Sequence, residues 1–156
     1  MLRSQEQALA VAIEMEKRAI RIYERALMVI QDQAVEEGVR EILADEREHL
    51  RRFTAMGGEE PRPGTEDRVL TEALAAEALF PGGVMEMKRD QGLDSLSGLY
   101  RFAARSEQEA VDQYMAFSAQ CEEENARQAF RAIAREEANH LAALKRTLAA
   151  MEESAT

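Results

Sequence analysis

Arg40-Glu41-Ile42-Leu43-Ala44-Asp45-Glu46-Arg47-Glu48-His49-Leu50 returns 91 residues later as Arg131-Ala132-Ile133-Ala134-Arg135-Glu136-Glu137-Ala138-Asn139-His140-Leu141. His49 and His140 are the two histidines of the 156-residue chain, one in each copy. Working outward, Glu16 and Glu107 stand 30 residues before Glu46 and Glu137, and Tyr23 and Tyr114 follow them by 7. The repeated Glu-x-x-His sets a carboxylate and an imidazole one turn apart on one helix face. Four carboxylates and two imidazoles spread over four helices are the equipment of a bundle that holds two metal ions between its helices.

The surrounding periodicity supplies those helices. Ser4 and Gln7 form a capping-box start. The stripe Leu9, Ile13, Glu16, Ile20, Tyr23, Leu27, Ile30 then advances by threes and fours. Asp32 offers a cap for a second helix carrying Val39, Ile42, Glu46, His49 and Phe53, which ends at Gly57-Gly58. All three prolines fall between Gly57 and Asp94, where the periodicity fails apart from a short helical stretch over Val69 to Phe80. Caps among Asp94 to Ser97 open a third helix with Leu96, Tyr100, Ala103, Glu107, Ala110, Val111, Tyr114, Phe117 and Cys121 on its stripe. A break at Glu122 to Asn125 precedes a fourth with Phe130, Ile133, Glu137, His140, Leu141 and Leu144. The expectation is one all-α domain over 1–156, an up-down-down-up four-helix bundle. Its two helical hairpins, about 4–56 and 95–151, are joined by a long crossover at about 57–94. Either hairpin alone would leave its apolar stripe in water.

Composition narrows the partners. Thirty acids against 20 bases give a net charge of −10, which argues against nucleic acid and anionic membrane surfaces. Cys121 is the single cysteine, so no internal disulfide or thiolate metal centre can form. With Glu6, Glu14 and Glu16 breaking any N-terminal apolar run and no apolar stretch of membrane-spanning length, the expected location is the cytoplasm.

Glu16 and Glu107 lie among Ile, Leu, Ala and Val, where an unpaired ionised carboxylate would cost several kcal/mol. Four converging carboxylates would also repel one another. Two divalent cations neutralise all four charges. Carboxylate-rich sites with one imidazole per ion suit iron or manganese; zinc could also occupy the site, although it prefers tetrahedral sites richer in nitrogen or sulfur. Glu46 and Glu137 are the candidate bridges, Glu16 and Glu107 the terminal carboxylates, His49 and His140 the imidazole ligands. Metal-bound imidazoles usually give their second N–H to an acceptor, so Asp45 is expected to serve His140, and Glu136 His49, across the bundle. Tyr23 and Tyr114 are expected to place their hydroxyls against ligand carboxylates, because a buried phenol needs a partner. Glu14, Glu48 and Glu109 read as surface charge, Met85 and Met87 as packing, and Cys121 as a small buried hydrophobe.

Glu16-x6-Tyr23, Asp45-Glu46-Arg47-Glu48-His49, Glu107-x6-Tyr114 and Glu136-Glu137-x-x-His140 resemble the ferritin-like superfamily, and within it the rubrerythrin family most. The resemblance covers both hairpins. It implies a diiron four-helix bundle reacting with hydrogen peroxide or dioxygen, often as a homodimer. It assigns Glu16, Glu46, Glu107 and Glu137 as carboxylate ligands and His49 and His140 as imidazole ligands. Two departures stand out. One cysteine cannot build a rubredoxin iron centre, so electrons must come from an external donor protein. The glutamate that rubrerythrins carry one turn after the third-helix ligand is Ala110 here, which makes the centre more symmetric and closer to a ferroxidase site. The expected function is oxidation of two Fe(II) ions with reduction of peroxide or dioxygen. Ferroxidase, storage or trafficking of iron, manganese catalase chemistry and a metal-binding structural bundle are the alternatives.

Overall fold

The computed structural model describes residues 5–57 and 95–154. These form four helices: α1 (Gln5–Leu27), α2 (Gln33–Met56), α3 (Leu96–Gln120) and α4 (Glu124–Ser154). The expected cap at Ser4, the terminating Gly58, the short helix over Val69 to Phe80, and Met85 and Met87 lie outside the described residues.

Local chemistry sets the boundaries. The Asp32 side chain accepts from the Val35 N–H at 3.0 Å and caps α2, and Ser95 accepts from the Gly98 N–H at 3.1 Å to cap α3. Each satisfies a donor that the first helical turn leaves orphaned. Gly57 does end α2, but with φ −72°. Its conformation is right-handed, and its N–H closes the last turn onto Phe53 O, so the stop does not exploit glycine's left-handed freedom.

Helix directions follow from side-chain pairs across the bundle. Tyr23 reaches Glu107 and Tyr114 reaches Glu16, so α1 and α3 are antiparallel. His49 meets Glu136 while His140 meets Asp45, so α2 and α4 are antiparallel too. With α1 packed on α2 and α3 on α4 as hairpins, the order is up, down, down, up. The α2 C-terminus at Gly57 and the α3 N-terminus at Ser95 therefore sit at opposite ends of the bundle.

Two apolar clusters fill the interior. One holds Phe53, Tyr114, Phe117 and Phe130 with Val11 and Ile133; ring centroids of neighbouring aromatics are 5.2 to 6.4 Å apart, within the range of favourable aromatic pairs. The other holds Ile22, Val39, Ile42, Leu43, Leu99, Phe102 and Leu144 around Tyr23. Between them lies a layer of buried charge. The α1 stripe is rotated from its expected position: Ile13, Ile20, Leu27 and Ile30 are only partly buried, while Ala8, Ala12, Ala19 and Ala26 occupy the centre beside Val11, Met15 and Ile22. Alanines let the neighbouring helices approach closely, and the larger isoleucines then seal the rim. No helix among the described residues is long and apolar enough to cross a membrane.

Candidate metal centre

Six ionisable side chains meet between the two clusters. Glu16, Glu46, Glu107 and Glu137 are 1%, 1%, 2% and 0% exposed, and His49 and His140 are 0% and 6%. Glu16 comes from α1, Glu46 and His49 from α2, Glu107 from α3, and Glu137 and His140 from α4. Their oxygens and nitrogens fall into two overlapping groups, Glu16–Glu46–His49–Glu137 and Glu46–Glu107–Glu137–His140. Within each group one ligand atom per residue lies within 4.8 Å of all the others. Glu46 and Glu137 belong to both groups; Glu16 and Glu107 to one each.

The imidazoles face inward through Nδ1. His49 Nδ1 is 2.9 Å from Glu137 Oε1 and 3.7 Å from Glu16 Oε1. His140 Nδ1 is 2.9 Å from Glu46 Oε1, 3.1 Å from Glu137 Oε2 and 3.6 Å from Glu107 Oε1. The ring centroids stand 5.9 Å apart, with planes 25° from parallel. Nε2 faces outward in both. His140 Nε2 donates to Asp45 Oδ2 at 3.0 Å, and His49 Nε2 donates to Glu136 Oε2. These carboxylates are half exposed, at 58% for Asp45 and 45% for Glu136, so each joins a buried ring to the surface. Arg52 lies 3.5 Å from Glu136. The repeat does not signal that contact, although Arg52 stands one turn after His49: the equivalent position after His140 is Ala143, which cannot supply a matching cation.

The tyrosines cross between hairpins. Tyr114 Oη donates to Glu16 Oε1 at 2.7 Å, and Tyr23 Oη donates to Glu107 Oε1. Burial, and then the nearby carboxylates, push both phenols well above their ordinary range, so they act as donors and not as phenolates. Removing one hydroxyl leaves a buried carboxylate oxygen without its donor, which costs about 1–3 kcal/mol. Tyr114→Phe is expected to destabilise the metal-free protein by that amount, read as the midpoint of urea unfolding; an unchanged midpoint would show the bond to be incidental.

Electrostatics in this layer are governed by desolvation. Burial, followed by repulsion from Glu137, Glu107 and Glu16, holds Glu46 well above the usual carboxylate range, and Glu137 is raised by burial and by Glu107. Glu107 goes the other way: burial lifts it, but hydrogen bonding with Glu137, His140 and Tyr23 outweighs the lift. Burial alone would depress both imidazoles, yet the carboxylates around them raise both. Protons held on Glu46, Glu137, His49 and His140 thus offset the carboxylate charge. The donor set fits a pair of divalent cations: Glu16 Oε2 has no hydrogen-bond partner among the described residues, Glu46 Oε1 lies near His140 Nδ1 outside hydrogen-bonding geometry, and an oxygen-rich set with one nitrogen per ion suits iron or manganese.

The remaining sequence expectations divide. Glu48 is exposed and pairs with Arg51 at 2.5 Å. Glu14 is half-buried beside Lys17, and Glu109 lines a cleft that reaches the centre, so neither is plain surface charge. Cys121 is buried against the aromatic cluster.

A family model for the ferritin-like domain matches residues 4–150. Among solved structures, the chain is similar to a hypothetical protein from Pyrococcus furiosus, with a TM-score of 0.65 at 20% identity, covering 93% of this chain and 88% of that one. No curated protein matches significantly.

Proposed function

This chain belongs to the ferritin-like domain family, and from that membership we propose that it is a dinuclear metal oxidoreductase, with two iron ions as its cofactor. The observation that carries the reading is the pair of overlapping buried groups sharing Glu46 and Glu137. Glu46 and Glu137 would bridge the ions, with Glu16 and His49 completing one position and Glu107 and His140 the other. When bound, iron supplies electrons and Lewis acidity for reducing hydrogen peroxide or dioxygen as Fe(II) is oxidised.

The protein's own groups prepare that chemistry. Asp45 and Glu136 hold each imidazole by Nε2–H, which fixes the tautomer and turns Nδ1 inward. Tyr114 and Tyr23 each tie down one oxygen of a terminal carboxylate. The apolar clusters at either end keep bulk water from the layer. Electrons for repeated turnover come in this reading from an external donor protein, and a second copy of the chain is the expected partner. Manganese fits the same donors. A ferroxidase that oxidises iron for storage or transfer is the second reading, favoured by the near-equivalence of the two groups and by Ala110 one turn beyond Glu107.

An anaerobic Fe(II) titration of metal-free protein, followed optically after peroxide or air is added in parallel, tests the proposal. Saturation at two ions per chain with faster colour from peroxide supports a peroxide-reducing centre. Faster reaction with air favours the ferroxidase. Absence of saturable binding overturns both. Replacing Asp45 and Glu136 together by alanine is expected to weaken metal binding about 10–100-fold, measured by calorimetric titration, while leaving the metal-free chain folded.

A further inference from the structure

The centre is shielded on several sides. Its ends are closed by the two apolar clusters. On the α2–α4 side the stacked imidazoles stand across the way, each covered at Nε2 by Asp45 or Glu136. The α1–α3 side differs. A small cleft, open to solvent among the described residues, reaches Glu16, Glu46, Glu107 and Glu137 but neither histidine. Its enclosed part has room for about one water-sized molecule.

The walls of this cleft repeat with the sequence. Ala19 stands three residues after Glu16 and Ala110 three after Glu107, so each alanine sits one turn beyond a terminal carboxylate on its own helix. Both are buried at 8% exposure and both line the cleft. Both copies thus carry a single methyl where the two helices flank the cleft. With these small side chains the cleft reaches down to the carboxylate layer, whose four glutamates are themselves 0–2% exposed.

We propose that the α1–α3 cleft is the route by which an oxidant of the size of hydrogen peroxide or dioxygen reaches the centre, and that Ala19 and Ala110 keep it open. This rests on the dinuclear reading above. The reactant arrives on the carboxylate side, opposite the imidazoles, so reactant access and the surface-linked Asp45 and Glu136 contacts use different faces of the bundle.

Stopped-flow binding of azide to full-length protein loaded with cobalt(II), read from the visible ligand-field spectrum, tests the route without turnover. The Ala19→Leu, Ala110→Leu double variant is expected to take up as much cobalt as the parent and to bind azide at least tenfold more slowly. Ala143→Leu, one turn beyond His140 on α4, is expected to leave the rate unchanged. Unchanged azide kinetics in a cobalt-loaded double variant, or slowing by Ala143→Leu instead, overturns the route while leaving the metal centre standing. Should the double leucine variant fail to fold, Ala110→Val replaces it: slower azide binding supports the route and an unchanged rate overturns it. Failure of the parent to bind cobalt overturns the dinuclear reading, and the route with it.

Discussion

Glu46→Gln is expected to raise the melting temperature of the metal-free protein and abolish tight binding of both metal ions at once. Glu46 is 1% exposed and faces three other carboxylates. Desolvation first, and repulsion second, make its ionised form unfavourable there. Glutamine has nearly the same shape and no charge to desolvate. Glutamine spares the folded chain the cost of protonating this carboxyl in order to bury it, which is worth on the order of 1–3 kcal/mol; for a chain of this size that is about 2–4 °C per kcal/mol. Glu46 also belongs to both candidate ligand groups, so under the proposed dinuclear reading losing its carboxylate removes a donor from each ion. The same substitution at exposed Glu48, whose partner is Arg51, is expected to change neither property. Differential scanning calorimetry of the chelator-treated proteins and a metal titration read the two effects. A metal-free Glu46→Gln protein that melts below the parent would show that its carboxylate is stabilising without metal, contrary to the electrostatics of the layer.

Metal-free protein is expected to lose stability from about pH 5 to pH 9 while its affinity for metal climbs. Glu46 and Glu137 are raised well above 4.5, and His49 and His140 above 6.5. A group whose pKa rises on folding contributes stability that is complete below its unfolded value and is lost as pH passes its folded one. Above pH 5 the folded metal-free chain therefore holds more protons than the unfolded chain, and each extra proton lowers stability by about 1.4 kcal/mol per pH unit. Glu107 is lowered, so its contribution is present above 4.5 and disappears only toward acid. Metal must displace the retained protons to bind, so binding strengthens with pH. The measurement is the melting temperature of loaded and chelator-treated protein across this range. The gap should widen steadily as pH rises; a constant gap would mean that ion binding displaces no protons from the four raised groups.

Much of the centre is legible in the amino-acid sequence because ligand chemistry and helical period coincide. Glu-x-x-His can present both groups to one partner only as a helix, and its recurrence at 91 residues with the same flanks ties two helices to one site. Glutamates at apolar stripe positions need a reason to be buried. Asp45 and Glu136 are marked by adjacency to Glu46 and Glu137, and the antiparallel crossing of α2 and α4 brings each to the opposite imidazole.

Other features have no one-dimensional trace. Tyr23 lies seven residues from Glu16, about 10.5 Å along a helix, too far for a hydroxyl bond within α1. Its partner is Glu107 because the packing of antiparallel α1 against α3 sets each tyrosine opposite the other helix's glutamate. The α1 stripe departs from the hydrophobic pattern for a different reason. Hydrophobicity favours Ile13, Ile20 and Leu27, while helix spacing is set by what fits between backbones; there Ala8, Ala12, Ala19 and Ala26 win. The cleft beside Ala19 and Ala110 exists only as the space left by two helices.

The sequence by itself determined the four helices, a helix start at Asp32 and another among Asp94 to Ser97, and the six ionisable groups that a bundle must bury together. Tertiary structure alone decided how closely the helices approach, which tyrosine serves which carboxylate, and on which side a cleft reaches the centre among the described residues. The reason is physical: period and residue type act along one helix, whereas neighbour choice and access follow from how close packed surfaces approach, and that is a property of pairs.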